Sequence, residues 1–224
     1  MIIKKKRLGF VLELSSSAVK KLKPGGHREQ IRTRTLDMVD NNKVLDIQKF
    51  KEVVIPAIKE LWEPRGNGAC IATALYREIK NIDEILNLIK EETGIDVNVI
   101  SGLEEAKLVG EAVKKQFPDA KKILVVDAGT RSVELGLLPE GYYKSYRKDR
   151  PLNLDFKLRA LKNDKDLLIV VTGLAASEVK LATKDPQDLF KWHKTLQEVI
   201  KQIGPHPTVG SNVTPGAGLL DNWS

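Results

Sequence analysis

Two short stretches decide the fold: residues 93–106 read TGIDVNVISGLEEA, and residues 124–135 read LVVDAGTRSVEL. The first stretch holds a strand-like apolar run, Val97–Ile100. It continues with Ser101 and, three residues later, Glu104. A serine and a glutamate at this spacing form a capping box, which predicts a helix that begins here and runs to about residue 116.

The second stretch is predicted to be a buried strand over residues 121–127, followed by a glycine turn and further strand residues over 133–138. Strands that alternate with helices in this order predict an α/β fold with a mixed sheet. We place a domain boundary at Pro118. The prediction is an N-terminal α/β lobe over residues 1–118 and a truncated C-terminal α/β lobe over residues 119–224, with a Pro/Gly-rich tail.

Hydrophobic periodicity predicts the remaining elements. The predicted strands cover residues 8–14, 28–36, 69–74 and 167–171, and the predicted helices cover residues 46–62, 83–93, 175–182 and 188–203. Pro56 favours a kink or a break in the first helix, and Gly94 stands where a helix C-terminal cap belongs. The tail from Gly204 onward holds three prolines and four glycines, so we expect a loop-like wrap or a disordered end.

The composition is that of a folded chain that favours anionic partners. The chain has 224 residues, 42% of them hydrophobic and 30% charged, a net charge of +7 and a pI near 9.3. Such a charge favours nucleic acid, polyphosphate or a nucleotide, whereas lysine-rich solubilisation is the alternative explanation. The lysines are scattered and no aromatic and arginine residues interleave as a stacking platform, which disfavours nucleic acid.

Other classes are excluded by what the sequence lacks. No apolar run of about 18 residues occurs, so no membrane span is predicted. The basic N-terminus precedes a short strand rather than a signal peptide, which makes the cytoplasm the expected location. The single cysteine, Cys70, excludes an internal disulfide and is expected to be a buried apolar residue.

Three segments resemble motifs of one family, the exopolyphosphatases and guanosine-pentaphosphate phosphatases. Residues 73–81, TALYREIKN, resemble its T-x-A-x-R-x-A-x-N segment. Residues 93–106 resemble its E-T-G-I-x-I-x-V-I-S-G-x-E-E-A segment, and residues 124–135 its strand followed by D-x-G-G-G-S-x-E-L. Their order and spacing agree with the family over residues 69–136.

This resemblance implies a ribonuclease-H-like fold of the actin-like ATPase superfamily, with mixed sheets, flanking helices and two lobes. It implies metal-assisted hydrolysis of a terminal phosphoanhydride, with Mg²⁺ as the cofactor if the chain is active. The implied partner is polyphosphate or a guanine nucleotide and no membrane. A homodimer is left open.

The resemblance also assigns roles to single residues. Glu105 corresponds to the catalytic base that aligns the attacking water, and Arg77 to an arginine that contacts phosphate. Asp127, with Glu134 as a weaker candidate, corresponds to a residue that holds the metal. Each also has a structural interpretation: a first-turn glutamate that stabilises a helix, a surface arginine paired with a glutamate, and a capping aspartate.

Both phosphate loops of the family are altered in this chain. Residues 11–17, VLELSSS, stand in place of D-x-G-S-N-S, so the resemblance assigns Ser16 to phosphate and Glu13 to the metal. A serine replaces the glycine of that loop.

The second loop assigns phosphate contacts to Gly129, Thr130, Arg131 and Ser132. Thr130 and Arg131 replace two glycines, and their Cβ atoms restrict conformations with positive φ. The Arg131 side chain either fills the phosphate pocket or supplies a cation in place of backbone donors. The loop also resembles the D-x-G-T-x-S loop of sugar kinases. Two hypotheses therefore stay open, a phosphohydrolase and a catalytically degenerate protein of the same fold that binds phosphate or a nucleotide or serves as an interaction module.

Overall fold

The structure, a computed structural model, describes residues 8–173 and 194–222. Its strands are β1 (Phe10–Leu14), β2 (Ala18–Leu22), β3 (Arg28–Arg32), β4 (Gly68–Ala72), β5 (Val97–Val99), β6 (Lys122–Ala128), β7 (Ser132–Leu138), β8 (Tyr142–Arg147), β9 (Leu167–Gly173) and β10 (Thr208–Gly210). Its α-helices are α1 (Ile47–Leu61), α2 (Ala74–Glu78), α3 (Ile82–Thr93), α4 (Gly102–Gln116), α5 (Phe156–Arg159), α6 (Lys194–Ile203) and α7 (Pro215–Asn222). The chain forms two compact units, which are Met1–Ser101 with Pro215–Ser224, and Gly102–Thr214.

The first unit is built on a five-stranded sheet in the order β3-β2-β1-β4-β5. β1 is antiparallel to β2 and parallel to β4. All five residues of β1 are buried, because both of its faces are covered. Phe10, Leu12 and Leu14 join the core formed with α1 and α3, whereas Val11 and Glu13 alternate with them and lie under α7.

Local signals explain the bounds of the helices. Asp46 caps α1 by accepting a hydrogen bond from the Lys49 backbone N–H at 3.1 Å. The helix continues through Pro56 without a break. α3 ends at Gly94, whose φ of 73° is the left-handed conformation that a glycine adopts readily.

The second unit repeats the same connectivity. Its sheet has the order β10-β9-β6-β7-β8, with β6 antiparallel to β7 and parallel to β9. Read from the β8 edge, this order matches that of the first sheet, so β6 is the counterpart of β1. Leu124 and Val126 of β6 pack in a core that also holds residues of α5 and α6, and the opposite face packs against α4.

Most predicted elements are present, and the differences have physical reasons. The tail prediction was wrong, because β10 pairs in parallel with β9 and α7 covers β1. Such short elements have no periodicity of their own and are stabilised by partners far away in the chain. The strand predicted over residues 28–36 ends at Arg32, and Arg34 adopts a left-handed φ of 47°.

Other predictions fall partly outside the described residues. The helix predicted over residues 175–182 lies entirely outside them, and the helix predicted over 188–203 is described from Lys194 onward. Strands β2 and β8 were not predicted. Among the described residues, none of the helices combines the length and the apolar character that a bilayer crossing requires.

The two compact units differ from the predicted lobes by the placement of two helices. α4 groups with the second unit, because it packs on β7, β8 and β6. α7 returns to the first unit, where it packs on β1. The contact-based division therefore falls after Ser101, and the lobes over residues 1–118 and 119–224 stay a prediction.

Candidate functional site

One row of polar side chains crosses the second sheet near the carboxyl end of β6. Asp127 is in register with Glu134 on β7 and with Thr172 on β9. Glu134 is in register with Ser145 on β8. Register partners point to the same face of a sheet, so these four side chains lie on one side of it.

Helix α4 brings a fifth polar residue to this face. Val109 and Val113 of α4 pack against Val125 of β6 in a small apolar core. Glu105 precedes Val109 by four residues, so it lies on the same face of the helix. Because Val125 and Asp127 share a face of β6, the helix directs the Glu105 side chain towards the polar row.

Three carboxylates meet as a result. One oxygen from each of Glu105, Asp127 and Glu134 lies within 4.8 Å of the others. Their exposed fractions are 7%, 7% and 1%. We call these three residues the acidic cluster. Its donor set is made only of carboxylate oxygens, the ligands that hard divalent cations such as Mg²⁺, Mn²⁺ and Ca²⁺ prefer.

The acidic cluster is electrostatically unfavourable without a cation or a proton. Burial raises the pKa of Glu134 well above its usual value of 4.5, and the charges of Glu105 and Asp127 raise it further. Ser145 opposes this shift by donating a hydrogen bond from Oγ to Glu134 Oε1 at 3.0 Å. In the metal-free protein, the Glu134 carboxyl group therefore holds its proton to a higher pH than an ordinary glutamate does.

Gly173 makes room for the Asp127 carboxylate. A Cβ atom at residue 173 would lie 2.6 Å from Asp127 Oδ1 and 2.7 Å from the Ala128 carbonyl oxygen. Its φ of +72° is also in the left-handed region. Both the contact and the conformation therefore require glycine at the end of β9.

Thr172 is a member of the row that sequence reasoning did not identify. Its side chain is fully buried, and Oγ1 has no hydrogen-bond partner among the described residues. The sequence signal is slight, a threonine and a glycine at the end of a buried strand. Thr172 and Asp127 are 45 residues apart in the sequence, and only the parallel pairing of β9 with β6 places them side by side.

The second loop accommodates the residues that replace glycines. Gly129 N donates to the Ser132 carbonyl oxygen at 3.1 Å, which closes the turn between β6 and β7. None of the four residues from Gly129 to Ser132 has a positive φ. The restriction expected from the Cβ atoms of Thr130 and Arg131 therefore does not arise. Arg131 is half-buried and Ser132 is buried, and their contacts with phosphate stay predictions.

The other predicted site residues lie in the first unit. Glu13 is buried, and its Oε1 lies 2.5 Å from Lys20 Nζ. Its Oε2 accepts a hydrogen bond from Gly216 N of α7 at 3.4 Å. A carboxylate with these partners is stabilised by protein groups, and its assignment to a metal stays a prediction.

Arg77 and Ser16 make contacts within the same unit. Arg77 Nη1 donates to the Ile100 carbonyl oxygen at 2.9 Å. Ser16 is 9% exposed, and its carbonyl oxygen accepts from Leu36 N at 2.9 Å. The phosphate contacts assigned to both residues stay predictions.

Comparison with known proteins agrees with this architecture. Residues 45–145 match the profile of the Ppx/GppA phosphatase family, which includes the whole acidic cluster and excludes Glu13 and Ser16. This part of the chain is similar to the Ppx/GppA phosphatase family. The resemblance over residues 69–136 is thereby confirmed.

Two curated Ppx/GppA relatives match only in part. The chain is 30% identical to exopolyphosphatase 1 of Mycobacterium leprae (strain TN) over 145 residues, 58% of this chain and 42% of that protein. It is 35% identical to a guanosine-5'-triphosphate,3'-diphosphate pyrophosphatase of Vibrio atlanticus (strain LGP32) over 79 residues, 35% of this chain and 16% of that protein. The matched part thus spans less than half the length of either relative.

Solved Ppx/GppA structures share the fold. An exopolyphosphatase from Cytophaga hutchinsonii superposes with a TM-score of 0.75 at 14% identity, and covers 95% of this chain and 97% of that one. The Aquifex aeolicus Ppx/GppA phosphatase gives 0.67 at 17% identity, with coverages of 96% and 98%. A Bacteroides thetaiotaomicron protein with an actin-like ATPase fold gives 0.52 at 12% identity, covering 99% of each chain. The predicted ribonuclease-H-like fold with two mixed sheets is confirmed.

Proposed function

We propose that this chain is a phosphohydrolase of the Ppx/GppA type that removes the terminal phosphate from polyphosphate or guanosine pentaphosphate. The observation that carries the proposal is the acidic cluster, three buried carboxylates whose oxygens lie within 4.8 Å of one another. Burying like charges this closely is costly. A divalent cation or a proton removes that cost, and phosphoanhydride hydrolysis uses such a cation.

In this proposal Asp127 and Glu134 hold Mg²⁺, and Glu105 aligns the attacking water. When bound, the ion polarises the terminal phosphoryl group and neutralises its charge. Glu105 suits its role because it lies in the first turn of a rigid helix and is directed at the other two carboxylates. Glu105 would accept the proton of the water as the new P–O bond forms, while the phosphoanhydride P–O bond breaks and the shortened polyphosphate or nucleotide leaves.

The substrate's remaining phosphates need positive charge or backbone N–H donors. The turn from Gly129 to Ser132 adjoins Asp127, and we assign the phosphate contacts to this turn. Arg131 is the cation within it, and Arg77 and Ser16 are candidates of the first unit. The net charge of +7 favours a polyanionic substrate.

A second candidate function rests on Glu13. The family's first loop carries an aspartate and a glycine where this chain has Glu13 and Ser15, and here Lys20 pairs with the carboxylate at 2.5 Å. A chain that has lost this part of the site can still bind phosphate or a nucleotide without hydrolysing it. This is the degenerate binding or interaction protein that the sequence left open.

Phosphate release from polyphosphate and from guanosine pentaphosphate, measured with Mg²⁺, separates the two functions. Glu105→Gln is expected to lower the rate by about 10²- to 10⁴-fold, the usual contribution of a positioned base. Glu104→Gln is the matched control, because it removes a charge from the same helical turn at an exposed position. Absence of release above background, or equal rates in wild type and Glu105→Gln, would exclude the phosphohydrolase.

The binding function predicts a rise in melting temperature with polyphosphate or nucleotide even where no phosphate is released. Arg77→Ala is expected to reduce that rise. If neither ligand shifts the melting curve of the wild-type chain, the binding function fails as well.

A further inference from the structure

The structure contains a buried donor that the proposed reaction does not yet use. Thr172 Oγ1 has no hydrogen-bond partner among the described residues, and the residue is 0% exposed. Bulk water therefore cannot satisfy the hydroxyl. Leaving a buried hydroxyl unpaired is costly, so such a group in a native protein calls for an explanation.

The position of Thr172 in the sheet suggests which group accepts a hydrogen bond from its hydroxyl. Thr172 is in register with Asp127, which in turn is in register with Glu134. The hydroxyl therefore stands on the cluster's face, at the end of the polar row opposite Ser145. Ser145 and Thr172 therefore flank the carboxylates, one at each end of the row. The hydroxyl of Ser145 already has a hydrogen-bond acceptor, because it donates to Glu134.

The backbone next to Thr172 is shaped for the same site. Gly173 adopts a positive φ, and any side chain there would meet Asp127 Oδ1 at 2.6 Å. The end of β9 is thus fitted to the Asp127 carboxylate. A hydroxyl at this position is a suitable hydrogen-bond donor to an oxygen atom of a ligand that binds to the carboxylates together with a cation.

We propose that Thr172 is a further binding residue of the acidic cluster, whose Oγ1–H donates to an oxygen ligand held there. That oxygen belongs to a cation-bound water or to a phosphoryl group, and both present the same acceptor. The inference rests on the proposed function only where it names a phosphoryl group as one possible owner of the acceptor oxygen. The binding of a divalent cation and of tripolyphosphate can be measured without any hydrolysis.

The test compares Thr172→Val, Thr172→Ser and Tyr76→Phe in the full chain. Valine keeps the shape of threonine and removes the hydroxyl, whereas serine keeps the hydroxyl. Tyr76→Phe is the control, because it also removes a buried hydroxyl, from a residue that belongs to the core of the first unit. Calorimetry measures the binding of Mn²⁺ alone, and of tripolyphosphate in the presence of saturating Mn²⁺.

Thr172→Val is expected to weaken one of these two affinities by about ten- to a hundredfold, the effect of losing a hydrogen bond to a charged group. Thr172→Ser should restore most of it, and Tyr76→Phe should leave it unchanged. A loss with Mn²⁺ alone identifies a cation-bound water as the acceptor, and a loss only with tripolyphosphate identifies a phosphoryl oxygen. Without metal, Thr172→Val should melt at the wild-type temperature or above it, because an unpaired buried group has been removed.

Unchanged affinities in Thr172→Val would overturn the inference, as would a wild-type chain that binds neither probe. A lower melting temperature of metal-free Thr172→Val would also contradict it, since the hydroxyl would then support the apo structure. A failure of the proposed function can be told apart from a failure of this inference. A wild type that binds both probes but releases no phosphate leaves Thr172 a binding residue of a protein without that activity.

Discussion

Each of the two sheets carries a buried carboxylate at the same point of its scaffold. The carboxylate of the first sheet has a lysine beside it, whereas that of the second sheet has two further carboxylates beside it. Glu13 on β1 and Asp127 on β6 each stand one residue before the end of their strand. The next strand begins after a turn closed by the same backbone bond, Ser15 N to Ala18 O at 3.0 Å and Gly129 N to Ser132 O at 3.1 Å. The backbone therefore does not distinguish the two positions.

The two positions differ in the side chain that faces the carboxylate from the neighbouring strand. The register partner of Glu13 is Lys20, and that of Asp127 is Glu134. The helix covering each position adds to the contrast, because α7 offers the Gly216 N–H to Glu13 whereas α4 offers the Glu105 carboxylate to Asp127. The first carboxylate faces a cation of the protein itself, whereas the second faces two further carboxylates, where we propose that a divalent cation binds.

The substitution Glu134→Lys gives the second hairpin the lysine that the first hairpin carries at the matching position. Asp127 would then have an internal cation, as Glu13 has. We expect the affinity for Mn²⁺ to fall by more than about 100-fold, and Mg²⁺-dependent phosphate release to be lost. Calorimetry with Mn²⁺ measures the first effect, and circular dichroism verifies that the variant is folded.

Glu134→Gln serves as the control for Glu134→Lys, because it removes the charge without reversing it. The account is contradicted if the lysine variant is folded and binds Mn²⁺ as tightly as the wild type.

The reciprocal change, Lys20→Met, removes the internal cation from the first hairpin. Glu13 would stay buried and lose its charged partner, so we expect the free energy of unfolding to fall by about 3 kcal/mol. Urea denaturation at pH 7 measures it. Adding Glu13→Gln to this variant should recover most of the loss, and a single variant within about 0.5 kcal/mol of wild type would show that the pair does not matter.

A third prediction concerns the fit of the second hairpin to its neighbour β9. Gly173→Ala introduces a Cβ that meets Asp127 Oδ1 and the backbone of Ala128 at a positive φ. We expect a loss of about 1–3 kcal/mol in the free energy of unfolding. Gly129→Ala is the matched control, because its Cβ would lie 3.4 Å from the nearest oxygen at an ordinary φ, and it should change stability by less than about 0.5 kcal/mol. Equal effects of the two substitutions would contradict this geometry.

The smallest effect is a pH dependence confined to the second hairpin. The pKa of Glu134 in the folded chain is raised above its usual 4.5, so the folded state binds more protons than the unfolded state between the two values. The stability of the metal-free protein therefore falls as pH rises from about 4.5 through the folded pKa, by at most about 1.4 kcal/mol per pH unit. Unfolding titrations should show this fall in wild type and a smaller one in Glu134→Gln. A stability that rises over this window in wild type, or an equal fall in both proteins, would be inconsistent with the raised pKa.

The sequence predicted the parts of this picture that depend on local pattern or on motif. Strands β1, β6, β7 and β9 are short, mostly apolar segments, and Ser101 and Glu104 predict the start of α4. The motif order also singled out Glu105, Asp127 and Glu134, which the structure brings together. The remaining features arise from contacts between distant segments. The Lys20 partner of Glu13 depends on β2, which was not predicted, and its Gly216 partner depends on a helix inside a tail predicted to be irregular.

Thr172 illustrates the same limit. A threonine at the end of a strand has no distinctive spacing, and its neighbours in the sequence are apolar. Its significance comes from the parallel pairing of β9 with β6 and from the absence of a partner for its hydroxyl among the described residues. Neither property can be read from one segment alone, because both are set by how the sheet orders its strands.

Calorimetric titration of the metal-free chain with Mg²⁺ shows whether the acidic cluster is a cation site. The titration is run near neutral pH, in two buffers of different ionisation enthalpy, for wild type and Asp127→Asn. We expect one bound ion per wild-type chain. We also expect binding to release any protons that the acidic cluster holds, because the ion binds deprotonated carboxylates and the pKa of Glu134 is raised. Binding should be lost in Asp127→Asn. A wild-type chain that binds no divalent cation, or an Asp127→Asn variant that binds it equally well, would contradict the account.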